Sequence, residues 1–146
     1  MFSQTAEYAL RAVVWLADHP DTSLTREQLA GPTRVPADYL AKVMHSLARA
    51  GVVQAQRGRK GGFTLTKPAD QLTILDVINA VDPVRRIRTC PLALKGHTHR
   101  LCPLHKRLDD ALVTMEQAFS QTRISDLSEH NSPVRALCEF AETVHA

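Results

Sequence analysis

Two cysteines and three histidines gather in one short stretch of this chain. Cys90 and Cys102 bracket a segment holding His97 and His99, and His105 follows. Three of the seven histidines fall within nine residues. Thiolate and imidazole together suit zinc or an iron–sulfur centre, because both centres take polarisable sulfur and nitrogen donors. Cys102 and His105 stand three apart at a predicted helix start, a spacing that can turn both side chains to one face. Three readings of the set stay open. It holds an iron–sulfur cluster, of the two-iron type (2Fe-2S) given so few thiolates. It holds a mononuclear metal such as zinc, or works as a thiol switch through Cys90 and Cys102. Or it holds no cofactor, and these residues cap a helix or face solvent. Cys138, beside Leu137 and Phe140, reads as a small core residue. His19, His45, His130 and His145 read as surface residues, with His45 also placed to touch nucleic acid.

A second group of residues suits a polyanion. Gly58-Arg59-Lys60-Gly61-Gly62 reads as a hairpin tip that holds half of the six glycines. Arg57, Arg59 and Lys60 there carry little bulk around them, so the backbone can approach a duplex closely. Its cations can then enter a narrow minor groove, where the negative potential is enhanced. The tip lacks the spacing and the Lys-Ser/Thr ending of a nucleotide-phosphate loop. Ahead of it, one predicted helix exposes Asp38, Tyr39, Lys42, His45, Ser46 and Arg49, with Thr33 and Arg34 in the preceding turn. These residue types can reach base edges and phosphates in a major groove, which admits a helix. Arg85, Arg86 and Arg88 read as a solvated loop, with phosphate or a thiolate as the other partners open to them.

These side chains need elements to position them. Apolar residues at Ala6, Leu10, Val13, Val14 and Ala17 predict a helix over 3–19, stopped by His19-Pro20-Asp21. Thr25-Arg26-Glu27-Gln28 is a capping-box pattern that opens a short helix, expected to stop at Gly31-Pro32 within a 25–33 segment. A third helix over 36–50 places Leu40, Val43, Met44 and Leu47 inward and ends at Gly51. Two helices joined by so short a turn make a helix-turn-helix. The period then changes, predicting strands at 52–57 and 63–66 that form a wing. A short helix is expected over 73–81, an aperiodic loop over 84–101, a long amphipathic helix over 104–120 and a last helix over 133–145. The long helix carries Leu104, Leu108, Leu112 or Ala111, Met115 and Phe119 on one face. A small winged domain offers little surface for so long a stripe, which favours pairing with a second copy.

Composition narrows the classes. An apolar content of 44% is ample for a core, so a disordered chain is excluded. The net charge of +3 permits a nucleic-acid partner without demanding one. Aromatic content of 5% argues against single-stranded nucleic acid, whose binders stack bases on exposed rings. No apolar run approaches the roughly 20 residues of a membrane helix. The first residues lack the features of a signal peptide, so a cytoplasmic protein with reduced thiols and no membrane partner is expected. No paired general acid and base flanks the Cys/His stretch, and no HExxH helix is present, which speaks against a metal-binding enzyme or carrier on a winged fold.

The chain resembles the Rrf-two family of bacterial winged-helix regulators, which includes iron–sulfur and nitric-oxide sensors. The resemblance runs through Glu7-Tyr8-Ala9-Leu10-Arg11, Tyr39-Leu40 and Ala50-Gly51-Val52-Val53. It continues through Arg57-Gly58, Gly61-Gly62-Phe63-Thr64-Leu65 and Ile74-Leu75-Asp76-Val77-Ile78. It implies a homodimer that binds double-stranded DNA at a near-palindromic operator, paired through the long helix. It also implies a cluster site in which Cys90 and Cys102 are the outer two of three cysteines and His105 is a trailing histidine. Gly96 stands where the middle cysteine is expected, with His97 adjacent. Glu7 matches the first-helix acidic ligand that some members supply from the partner subunit.

Together these readings predict a mainly α fold with a small β-hairpin wing. A winged helix-turn-helix DNA-binding domain spans 1–82, a Cys/His sensor loop 83–102, and a dimerisation helix with the C-terminal helix 103–146. The expected function is transcription regulation, chiefly repression, set by a redox- or nitric-oxide-responsive centre. A cofactor-free or zinc/thiol-switch regulator of the same fold is the alternative.

Overall fold

The computed structural model describes residues 2–97 and 100–127, and of His97 only the backbone. His99, His130, Cys138, His145 and the predicted helix at 133–145 lie outside the described residues.

Helix α1 (Gln4–Ala17) starts where the Ser3 hydroxyl accepts the Ala6 amide at 3.2 Å. It turns Ala6, Ala9, Ala12, Val13 and Leu16 inward, the small side chains letting other elements come close. Helix α2 (Arg26–Thr33) opens with the expected capping box. The Gln28 amide donates to Thr25 Oγ1 at 3.2 Å, and the Thr25 amide donates to Gln28 Oε1 at 2.8 Å. The expected stop at Gly31-Pro32 is corrected, since the helix continues to Thr33. Pro32 lies in the last turn and forfeits one backbone bond there, so it does not break the helix. The stop is instead Arg34, left-handed at φ 53°.

Helix α3 (Ala37–Arg49) buries Leu40, Val43, Met44 and Leu47 and ends in a Schellman motif. The Val52 amide donates to the Leu47 carbonyl at 2.9 Å and the Gly51 amide to that of Ala48 at 3.1 Å, with Gly51 at φ 76°. Strands β1 (Val53–Gln56) and β2 (Gly62–Leu65) pair antiparallel, from Val53 opposite Leu65 to Gln56 opposite Gly62. Leu24 adds a one-residue third edge, exchanging bonds of 3.1 and 2.7 Å with Phe63. That approach demands glycine at position 62, where a Cβ would lie 2.6 Å from the Leu24 backbone.

After a 3-10 turn at Ala69–Gln71 comes α4 (Ile74–Val81), capped reciprocally by Thr73 and Asp76. The loop that follows contains a second 3-10 turn at Lys95–His97. It leads into α5 (Pro103–Gln121), which packs against α4. The chain then turns back in a way the periodicity did not foretell. The Ile74 amide donates to the Thr122 carbonyl at 3.0 Å, the Ile124 amide donates to Leu72 at 2.8 Å, and a short helix α6 (Ile124–Leu127) follows. Ile124 is fully buried in the same core as α1 to α4 and the wing. This mainly helical architecture with one hairpin agrees with the predicted fold class. Among the described residues no helix is long and apolar enough to cross a membrane.

Candidate functional site

The inward stripe of α3 fixes what its other side shows. Asp38, Lys42, His45 and Arg49 recur at helical spacing and are exposed, and Ser46 is half-buried beside them. Tyr39 is half-buried and serves partly as a brace. Its hydroxyl lies 2.5 Å from Thr5 Oγ1, and its ring meets Tyr8 edge-on at 5.2 Å. Thr33 is a correction to the predicted contacts, because it is 1% exposed and its hydroxyl donates to the Leu29 carbonyl at 2.5 Å. Arg34 stays exposed in the turn. Arg57, Arg59 and Lys60 are all exposed at the wing tip, which the Gly61 amide closes on the Gly58 carbonyl at 2.9 Å.

Residues outside the predicted DNA-contacting set shoulder this face. Gln4 and Tyr8 of α1 line a groove of about 400 Å³ with Pro36, Asp38, Tyr39 and Lys42. Arg11 joins α1 to the helix-turn-helix by donating to the Thr33 carbonyl at 3.3 Å, while its guanidinium lies 5.4 Å from the Tyr8 ring centre. Arg59 and Lys60 border a cleft of about 540 Å³ shared with Thr25 and Gln28 at the start of α2. Ser23 and Thr64 also line it, and their hydroxyl oxygens are buried without a hydrogen-bond partner. The only sequence signal for Tyr8 and Arg11 was their place in the family-like phrase near the start.

The thiol region is built differently. Cys102 is the N-cap of α5, extended at ψ 163°, and Pro103 begins the helix with an imide nitrogen that has no proton to satisfy. This geometry leaves Cys102 Sγ 3.2 Å from His105 Nδ1, the juxtaposition expected from their spacing. No disulfide joins Cys90 to Cys102. Glu7 is 54% exposed at its side chain and accepts from Arg11 Nε at 3.1 Å. Among the described residues no three of His, Cys, Asp and Glu stand close enough to hold one metal ion. Of the predicted donors Cys90, Cys102, Glu7, His97, His99 and His105, the described residues bring Cys102 and His105 into contact, while His99 and the His97 side chain lie outside them. The described residues of one chain do not by themselves fit a cluster.

Arg86 corrects the reading of a solvated loop. Its Nε and an Nη donate to the two oxygens of Asp109 at 2.7 and 2.6 Å, and the other Nη reaches Glu116 at 3.4 Å. The Ile87 amide adds a bond of 2.9 Å to Asp109. The Arg86 hydrogen bonds, joined by that amide, hold the Asp109 carboxyl down at about 2. Asp109 and Glu116 in turn hold the guanidinium above its ordinary value.

The comparisons with known proteins agree with this architecture. The Rrf2 (Rrf-two) family model, described as iron-dependent transcriptional regulator, matches residues 2–130. A protein of Aquifex aeolicus (strain VF5) described as an HTH-type transcriptional regulator is 33% identical over 130 residues, covering 87% of this chain and 90% of that one. The fold is shared with IscR of T. potens, at a TM-score of 0.74 and 16% identity over 93% of each chain. It is shared also with CymR, the global cysteine regulator of B. subtilis, at 0.71 and 19% identity over 87% of this chain and 95% of that one. An exposed helix-turn-helix with a cationic wing, under a family match that spans most of its length, thus places this chain in the Rrf2 family of transcriptional regulators and outside the enzymes.

Proposed function

We propose that the chain acts in the cytoplasm as a homodimeric, sequence-specific repressor of a near-palindromic duplex operator, and that redox or nitric-oxide chemistry at its cysteines sets its affinity. The observation that carries the reading is the exposed stripe of Asp38, Lys42, His45 and Arg49 on α3, flanked by the cationic tip of Arg57, Arg59 and Lys60. A major groove about 12 Å wide takes such a helix, and the tip suits the neighbouring minor groove. Arg34 and Ser46 fall at the margin of the same face.

Pairing of two copies draws support from α5, none of whose residues is fully buried within the chain. Leu104 is 63% and Leu108 48% exposed. Fully burying a leucine is worth roughly 1.5–3 kcal/mol, so a shared seam at these positions is a substantial driving force. A two-fold dimer presents its recognition helices about 34 Å apart, one turn of duplex.

The sensor reading rests on the Cys102–His105 contact together with Cys90. An iron–sulfur cluster would draw on Cys90, Cys102, His105 and Glu7 of the partner subunit, and would supply one-electron redox change and reactivity toward nitric oxide. A thiol switch without metal is the second reading. It draws on the Cys102–His105 contact, the one pair of such donors that meets among the described residues of the loop and α5. His97 and His99 are the further candidate donors of the loop. In either form the signal acts only through a difference in DNA affinity between the two states.

The test is purification without oxygen, followed by an absorption spectrum, counts of iron, sulfide and zinc per chain, and gel shifts on genomic fragments. Visible charge-transfer bands with matching iron and sulfide establish the cluster. A colourless, metal-free chain that still shifts a specific fragment leaves the thiol switch or a cofactor-free regulator, and a colourless chain with zinc gives the zinc form. A chain that shifts no fragment in any state overturns the operator reading.

A further inference from the structure

Four polar contacts tie the start of the loop after α4 to α5. Arg86 and the Ile87 amide converge on Asp109, and the same guanidinium reaches Glu116. Asp109 and Glu116 lie four and eleven residues beyond His105, so all three share one side of α5 with the Cys102–His105 pair above them. The other end of α5 is fastened separately, where residues 122–124 pair with residues 72–74 of the reading domain.

A helix fastened at one end pivots, and a second anchor fixes its direction. Twelve residues separate Asp109 from Gln121, which at 1.5 Å of rise each is a lever of about 18 Å. A slip of about 1 Å at Asp109 therefore turns α5 by roughly 3° about its far end. In a dimer joined along α5, such a turn moves the two recognition helices relative to each other.

We propose that Arg86 is the positioning residue that sets the direction of α5 and, through it, the separation of the two recognition helices in the dimer. The inference rests on the dimer reading above. Arginine is needed because Asp109 is held by a planar two-pronged contact, which a lysine ammonium cannot reproduce. Arg86 lies in the loop and not on α3 or the wing tip, so its removal spares the phosphate contacts of the reading face.

The test uses the full chain and an operator selected from a random duplex library, with derivatives whose half-sites are moved apart or together by one base pair. The wild-type chain is expected to lose tenfold or more in affinity on these derivatives. Arg86→Gln and Asp109→Asn are expected to lose threefold or less, with Arg86→Lys between. All four are expected to bind an unrelated duplex equally and with equal salt dependence. Should Arg86→Gln fail to fold, as judged by circular dichroism, Asp109→Asn and Arg86→Lys carry the comparison. A wild type that discriminates spacing and variants that discriminate equally well overturn the positioning role alone. A wild type indifferent to spacing overturns the dimer reading, and the positioning role with it.

Discussion

Residues 2–82 and the loop with α5 at 83–121 differ in what holds them. The reading half is a continuous apolar cluster in which Leu29, Leu40, Met44 and Leu47 are fully buried. Its helix ends are closed by two capping boxes and a Schellman motif. In the signal half no α5 residue is fully buried, Leu92 and Leu94 face solvent, and the ion pairs of Arg86 with Asp109 and Glu116 add to the packing of α5 on α4. Burial resists small displacements, since close-packed interiors transmit strain and do not yield to it. A polar clasp on an exposed helix exchanges for water at modest cost. The contrast places rigidity in the half proposed to read DNA and adjustability in the half proposed to take the signal.

The strongest way to break this contrast is by substitution in each half. Leu40→Ala, on the inner face of α3, is expected to lower unfolding free energy by about 2–5 kcal/mol in urea titrations. Leu108→Ala, assayed where the chain is monomeric, is expected to cost under about 1 kcal/mol, because nearly half of that side chain already meets water. Equal losses at the two positions contradict the division. Leu104→Gln combined with Leu108→Gln is next. Sedimentation should show monomers with the reading half still folded, whereas dimers that persist would place the seam elsewhere.

A smaller effect sharpens the reading half itself. Arg59→Ala should weaken operator binding and reduce the slope of log affinity against log salt by about one. An unchanged slope means that Arg59 meets only solvent. The smallest effect expected is pH-dependent stability from the clasp. The Asp109 carboxyl is lowered from 3.8 to about 2, so its contribution is fully present above 3.8 and is lost as pH falls through about 2. The denaturation midpoints of wild type and Asp109→Asn should therefore differ at neutral pH and converge near pH 2. A gap that stays constant across that window assigns the effect to something other than ionisation.

The reading half was far more legible in the sequence than the signal half. Helical period, capping box and a glycine-rich tip are local patterns, and each appeared within a few residues of its expected place. The departures there have local causes too. Thr33 looks like a turn residue available to DNA, yet its hydroxyl can satisfy itself on the Leu29 carbonyl, which lets the side chain be buried. Leu24 contributes one residue to the wing, too short a run to show any period. In the signal half the decisive contacts join residues far apart in the chain. Arg86 and Asp109 are 23 positions apart, and Thr73 pairs with Arg123 across the whole of α5. No periodicity reports such pairs. The Cys102–His105 contact was legible because its spacing is local, while the wider donor set had no local rule to assemble it.

Chemistry at Cys102 is proposed to change how tightly the reading half holds DNA. Its most direct test is fluorescence anisotropy of one operator duplex with the full chain, purified without oxygen and then exposed to an oxidant, beside Cys102→Ser. A change on the order of tenfold is expected in the wild type, within the range of ordinary allosteric coupling, and little or none in Cys102→Ser. A wild-type affinity unaltered by the oxidant, or an equal change in Cys102→Ser, would contradict it.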